Sequence, residues 1–255
     1  MPLIFTAITA YDQFAFTAPL ASGHAVTKDI YARGEGPPVV LIQELPGIGP
    51  ETLRLADRLV AAGFRVFLPH LFGPLEEVST VGNTFRMFCL WREFRIFRRR
   101  RSSPVVDWLR ALCRAVRQRE GAAGVGVIGM CLTGNFAISL MGDDNVLAAV
   151  ASQPGLPIGS AAGLHLSPEE ITATRERIDQ TAPMLALRFA DDPLVREERF
   201  HCLAETFNTD RERIRLRTLP GEGHSVLTLD FVDEAGHPTA EALQEVIDYF
   251  SQQLG

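Results

Sequence analysis

An α/β fold, with a mainly parallel central sheet and helices on both faces, is what this sequence predicts, and three observations predict it. Apolar runs rich in β-formers alternate with amphipathic stretches, the rhythm of successive βαβ units. A chain of 255 residues that is 46% hydrophobic carries enough apolar material for one large core. No internal repeat or low-complexity linker divides it, so residues 1–255 read as a single domain.

The strand runs are VVLIQE (39–44), FRVFLP (64–69), GVGVIG (124–129), LAAVAS (147–152), PMLALRF (183–189) and IRLRTLP (214–220). Helices are expected between and after them at 51–62, 103–118, 132–141, 168–180, 195–207 and 239–253. The fourth is the best marked: Ser167 can cap it, Pro168 occupies the first helical position where a missing N–H costs nothing, and Glu170 completes a capping box. Residues 72–102 fit neither pattern and form a candidate lid. There Phe85, Phe88 and Trp91 fall on one helical face, and the run Arg98 to Arg101 reads either as a solvated charge cluster or as an anion-attracting rim.

Net charge is −6, so the protein lacks the electrostatic footprint of a nucleic-acid or anionic-membrane binder. The opening MPLIFTAITAYDQ has no basic, apolar leader pattern, and no stretch reaches the roughly 18 uninterrupted apolar residues of a membrane span. A soluble cytoplasmic protein is expected, monomeric or, as the alternative, dimeric. Cys89, Cys113, Cys131 and Cys202 are widely spaced and match no zinc-ligand pattern. Free thiols are expected, with no metal or organic cofactor.

The chemistry concentrates in GMCLTG (129–134), where a cysteine follows a strand and opens a helix. The pattern approximates the nucleophile elbow G-x-S-x-G, with Cys131 in the serine place and Thr133 where the second glycine falls. The N–H groups at a helix start favour a thiolate and offer donors to an oxyanion. A cysteine in such a turn can equally be a small buried packing residue. What distinguishes the two readings is the presence of partners.

An elbow nucleophile requires an acid and then a histidine after later strands. ADDPLV (190–195) follows one strand run and GEGHSV (221–226) the next, which supplies Asp192 and His224 in the required order. Asp191 is a possible substitute acid. Singly, Asp192 could be a helix cap and His224 a surface-loop residue; together with Cys131 they make a triad.

With these motifs, GEGPPVVLIQELPGI (34–48), FRVFLPHLFG and the terminal EALQEVIDYFSQQL, the chain resembles the dienelactone hydrolase family over nearly its whole length. The resemblance implies the α/β-hydrolase fold, a Cys131, Asp192, His224 triad, and hydrolysis of a lactone or ester through a thioester acyl-enzyme. In that family a glutamate at the place of Glu44 contacts the nucleophilic thiol, a role that suits a carboxylate able to take a proton or move aside. The oxyanion hole would come from the backbone N–H groups of Leu45 and Leu132.

Two arginines that hold the substrate carboxylate in the family are replaced here by Pro74 and Thr228. An arginine from 86–101, Arg188 or Arg196 could stand in for them. The expected partner is therefore a small-molecule ester or lactone other than dienelactone. An acyl thioester is a further substrate class. The competing reading is a non-catalytic redox-sensing or ligand-binding protein on the same fold.

Overall fold

The computed structural model describes residues 5–20, 23–76, 104–155, 164 and 166–255. Most of the candidate lid, including Phe85, Phe88, Trp91 and Arg98 to Arg101, lies outside them, as does Cys89.

Eight strands form one sheet: β1 (Asp12–Pro19), β2 (Ala25–Arg33), β3 (Pro38–Ile42), β4 (Arg65–Pro69), β5 (Val125–Met130), β6 (Val146–Ser152), β7 (Met184–Phe189) and β8 (Ile214–Leu219). Among the described residues six α-helices accompany them: α1 (Pro50–Ala61), α2 (Pro104–Glu120), α3 (Gly134–Leu140), α4 (Pro168–Gln180), α5 (Glu197–Phe207) and α6 (Pro238–Leu254). The strand order is β1-β2-β4-β3-β5-β6-β7-β8. Pairing is antiparallel from β1 to β2 and from β2 to β4, and parallel across the rest.

The central strands β3, β5 and β7 are buried at every position, which is why they read as unbroken apolar runs. Their alternate residues feed two cores. Val40 and Ile42 join Leu109 and Leu112 of α2 on one face. Val39 and Leu41 join Leu55 and Leu59 of α1 and Val246 and Phe250 of α6 on the other.

The six expected strands correspond to β3 through β8, whereas β1 and β2 are additions. β1 is an edge strand with most of its positions exposed or half-buried. Phe14, Phe16 and Ala18 turn inward, and the Phe16 ring meets Trp108 edge-on at 5.3 Å. The Trp108 indole donates to the Val26 carbonyl at 3.0 Å, which ties α2 to the hairpin.

Because β3 and β5 to β8 run parallel, their C-terminal ends share one edge of the sheet. That edge receives Glu44 after β3, Cys131 after β5, Gln153 after β6, Asp192 after β7 and His224 after β8. In an open α/β sheet this is the edge where ligands bind.

Candidate active site

The turn after β5 is left-handed at Cys131, whose φ is +55°, a conformation that a side-chain-bearing residue adopts only under constraint. A 3₁₀ turn over Cys131–Thr133 then leads into α3, where the sequence suggests a regular helix from 132. Gly129 is required here, since a Cβ on it would lie 2.1 Å from the Thr133 carbonyl oxygen. Gly134 gives the close approach to the next strand, with a Cβ placed 3.0 Å from Pro154 Cα.

Thr133 explains the departure from the usual glycine. Its hydroxyl accepts from the Met130 N–H at 2.9 Å and reaches the Ile42 carbonyl at 3.2 Å, so it anchors the elbow to β3. From below, Asn135 donates to the Leu132 and Gly155 carbonyls at 3.1 and 2.9 Å. The buried Arg199 guanidinium in turn donates to Asn135 Oδ1 and to the Pro154 carbonyl. The Gly155 N–H closes the frame on the Cys131 carbonyl at 3.1 Å.

Asp192 is 3% exposed, and its Oδ1 accepts from the Leu194 and Val195 N–H groups at 2.8 and 2.9 Å. His224 Nδ1 lies 2.9 Å from Asp192 Oδ2 and 3.1 Å from Oδ1. The neighbouring Asp191 is exposed. The histidine loop is held by Asp230, whose Oδ2 accepts from the His224 and Ser225 N–H groups at 2.7 and 2.9 Å. Gly223, at φ +136°, lets that loop pass Phe189, whose ring carbon would lie 3.0 Å from an added Cβ.

The imidazole Nε2 is buried and has no hydrogen bond of normal geometry among the described residues. The Cys131 sulfur is nevertheless near enough to act on the ring. Burial disfavours the imidazolium, but the Asp192 carboxylate and the Cys131 sulfur outweigh it and raise the His224 pKa to about 10. Of the other cysteines, Cys113 is fully buried and its thiol is pushed well above the usual range by desolvation and then by Asp143. Cys202 is a half-buried free thiol on α5.

Glu44 is 5% exposed and accepts from the Ser225 hydroxyl at 3.0 Å, the Gln153 amide at 3.3 Å and the Thr228 hydroxyl. Among the described residues these three groups are its side-chain hydrogen-bond donors. Burial raises its pKa, while the bonds from Thr228, Ser225 and Gln153 and the charge of His224 oppose the rise.

Arg188, one of the arginines that could bind a substrate carboxylate, is buried. Its Nη1 donates to the Phe189, Ala190 and Val195 carbonyls at 3.0, 3.1 and 3.3 Å, and its guanidinium lies over the Phe200 ring. It braces the Asp192 loop. Arg196 is exposed at the start of α5.

Of the two backbone donors expected for an oxyanion, Leu132 N–H lies in the first turn of the 3₁₀ helix and so has no intrahelical acceptor. Leu45 N–H meets no backbone carbonyl among the described residues. Gln153 and Asp230 belong to the site's frame without appearing in any motif, and Ser225 and Arg188 lie within quoted segments whose pattern gives no sign of this part in the frame. The Ser-after-His and Asp-six-on pattern in GHSVLTLD was the one local signal available. Among the described residues, no cluster of three or more His, Cys, Asp or Glu is placed to hold a metal ion, and no helix is long and apolar enough to cross a membrane.

A mainly parallel sheet with a left-handed strand-to-helix turn, and with a thiol, an imidazole and a carboxylate gathered at its C-terminal edge, defines an α/β-hydrolase fold. The model of the dienelactone hydrolase family matches residues 24–254, and the chain belongs to that family. The family places it among hydrolases acting on esters or lactones.

Solved structures share the fold at low identity. A dienelactone hydrolase-like promiscuous phosphotriesterase from metagenomic libraries is 20% identical, with a TM-score of 0.64 and coverage of 95% of this chain and 99% of that one. A zinc-bound cold-adapted esterase from an Arctic intertidal metagenomic library is 18% identical, with a TM-score of 0.57 and coverage of 97% and 96%. An esterase of Pyrococcus furiosus is 12% identical, with a TM-score of 0.60 and coverage of 96% and 93%. No curated protein matches the chain.

Proposed function

We propose that the protein hydrolyses an uncharged ester or lactone with a good leaving group, using Cys131 as nucleophile. The observation that carries this reading is the Asp192–His224 pair, 2.9 Å apart and set beside a cysteine held at φ +55°. In the proposed reaction His224 takes the Cys131 proton and the thiolate adds to the substrate carbonyl. The oxyanion rests on the Leu45 and Leu132 N–H groups.

The carbon–oxygen bond then breaks as the imidazolium gives its proton to the departing alkoxide or enolate, which leaves a thioester. With the sulfur acylated, the anion that helped hold the imidazole proton is gone, and neutral His224 can take a proton from water. Hydroxide adds to the thioester, the thiolate departs, and the acid is released. Enol and phenol leaving groups suit this chemistry, because a poor alkoxide competes badly with return of the thiolate.

Three features support an uncharged, apolar substrate. Pro74 and Thr228 stand where the family's carboxylate-binding arginines fall. Glu44 places a buried carboxylate in the site. The exposed large hydrophobics among the described residues, Leu194 and Leu229, are carried by the Asp192 and His224 loops.

The test is hydrolysis of aryl acetates, enol lactones and dienelactone by wild type, Cys131→Ala and His224→Ala, with intact-mass detection of a trapped acyl adduct. Turnover of an activated ester, lost in both variants, with the adduct on Cys131, is expected. Activity that survives loss of Cys131 would refute the reading; peroxide-driven sulfenic acid at Cys131 with no turnover would favour a redox role.

A further inference from the structure

We infer that Gln153, Ser225 and Thr228 are positioning residues that act through the Glu44 carboxylate to hold the histidine loop over the nucleophile strand. The inference rests on the thiol-hydrolase reading above and assigns work to residues that the triad leaves out.

The sheet order places β5, which carries Cys131, between β3 and β6. Two strands separated by a third lie about 10 Å apart. Glu44 beyond β3 and Gln153 beyond β6 nevertheless meet at 3.3 Å, so their side chains join across the end of the strand that carries the nucleophile. The Ser225 hydroxyl shares that oxygen, Oε2, with Gln153, and the Thr228 hydroxyl takes Oε1; both hydroxyls are on the loop that begins at His224. One buried anion thus ties three segments together, and it does so around the thiol.

The construction is specific in two respects. Gln153 is fully buried with φ +35°, a backbone conformation that a side-chain-bearing residue keeps only where its surroundings require it. Its Oε1 accepts the Ser152 hydroxyl, which leaves Nε2 as the group turned to Glu44. The three donors are all neutral, so Glu44 is held by direction rather than by an ion pair. A carboxylate held in this way cannot leave for the thiol without abandoning every partner it has, and it serves as a fixed point for the imidazole.

Near-isosteric variants test this: Thr228→Val and Gln153→Met remove a donor with little change in volume, and Thr228→Ser restores the hydroxyl. Three readouts are taken: kcat and KM on an aryl acetate, the rate of Cys131 alkylation by iodoacetamide against pH, and the thermal midpoint. Thr228→Val and Gln153→Met are expected to lower kcat by about tenfold or more with KM changed by less than about twofold, because small misplacements of reacting groups are costly to rate. Alkylation at neutral pH should slow in parallel, and Thr228→Ser should recover most of both.

Equal behaviour of the Val and Ser variants, or activity lost only in proportion to folded protein, would overturn the inference. Alkylation needs no substrate, so the two readings fail separately. If His224→Ala alkylates with the wild-type pH profile, the thiol–imidazole couple itself is refuted and the brace with it. If His224→Ala changes the profile while Thr228→Val and Gln153→Met do not, the couple stands and the brace is refuted.

Discussion

Asp192 and Glu44 are both buried carboxylates beside the histidine loop, and they are held in opposite ways. Asp192 is fixed largely by its own loop: two backbone N–H groups within three residues satisfy Oδ1, and the imidazole takes the remaining face. Glu44 has no local donor. Its partners are side chains from residues 109 to 184 positions away in the chain. A carboxylate capped by its own turn is correctly placed whenever that turn forms, whereas one held by distant hydroxyls and an amide is correctly placed only if the whole sheet edge is. The same environments separate their chemistry: Asp192 meets the imidazole Nδ1 directly, whereas burial raises the Glu44 pKa and the charge of His224 opposes that rise without a hydrogen bond between them.

The most severe way to break the comparison is Asp192→Asn. It keeps the turn but removes the negative charge that faces Nδ1, and kcat on an activated ester should fall by about a hundredfold to ten-thousandfold. The same pair sets a pH dependence. The folded-state pKa of His224, about 10, exceeds the ordinary value of 6.5, so the folded protein binds the extra proton between these values. Its contribution to stability is complete below the ordinary pKa and is lost as pH rises toward 10. Urea unfolding at both ends of that window should show this loss in wild type and its absence in His224→Gln; equal slopes would refute it.

Arg188→Met attacks the Asp192 side from beneath. It removes the donor shared by three carbonyls, of which, among the described residues, only that of Phe189 keeps a backbone N–H, from Asp192 at 3.4 Å, and chemical denaturation should report about 2–4 kcal/mol of lost stability. A loss below about 0.5 kcal/mol, the level of an ordinary surface change, would mean that the loop stands without it. Glu44→Gln sharpens the other side with the smallest effect. Ser225 and Gln153 donate to one carboxylate oxygen and Thr228 to the other, so the amide nitrogen costs Thr228 its acceptor in one orientation and Ser225 and Gln153 theirs in the flipped one, and kcat should fall by about tenfold, well short of Asp192→Asn. A loss as large as that of Asp192→Asn would give the two carboxylates equal standing.

How much of the site could be read in advance follows the same division. GMCLTG, ADDPLV and GEGHSV are legible because each is a short turn whose geometry is set within five or six residues. The capping box at Ser167 is likewise complete in its own turn, with Ser167 Oγ accepting from the Glu170 N–H at 3.2 Å and Glu170 accepting from the Ser167 N–H at 3.0 Å. β1 escapes notice because an edge strand buries few side chains, so DQFAFTAP lacks the apolar run that marks β3, β5 and β7, and β2 because its first five residues are exposed or half-buried. Arg188 reads as a free cation beside the site, and only packing turns its guanidinium inward onto carbonyls.

By itself the sequence determined the alternation of strand and helix, the glycines that permit the elbow, and the placing of Cys131, Asp192 and His224 in turns after successive strands, because each depends on neighbours in the chain. Only the tertiary structure decided which side chains receive Glu44, why Gln153 sits at positive φ, and which arginines are committed to the frame. Those outcomes depend on parallel strands bringing distant residues to one sheet edge, where a buried polar group must take whichever partners the fold places within reach.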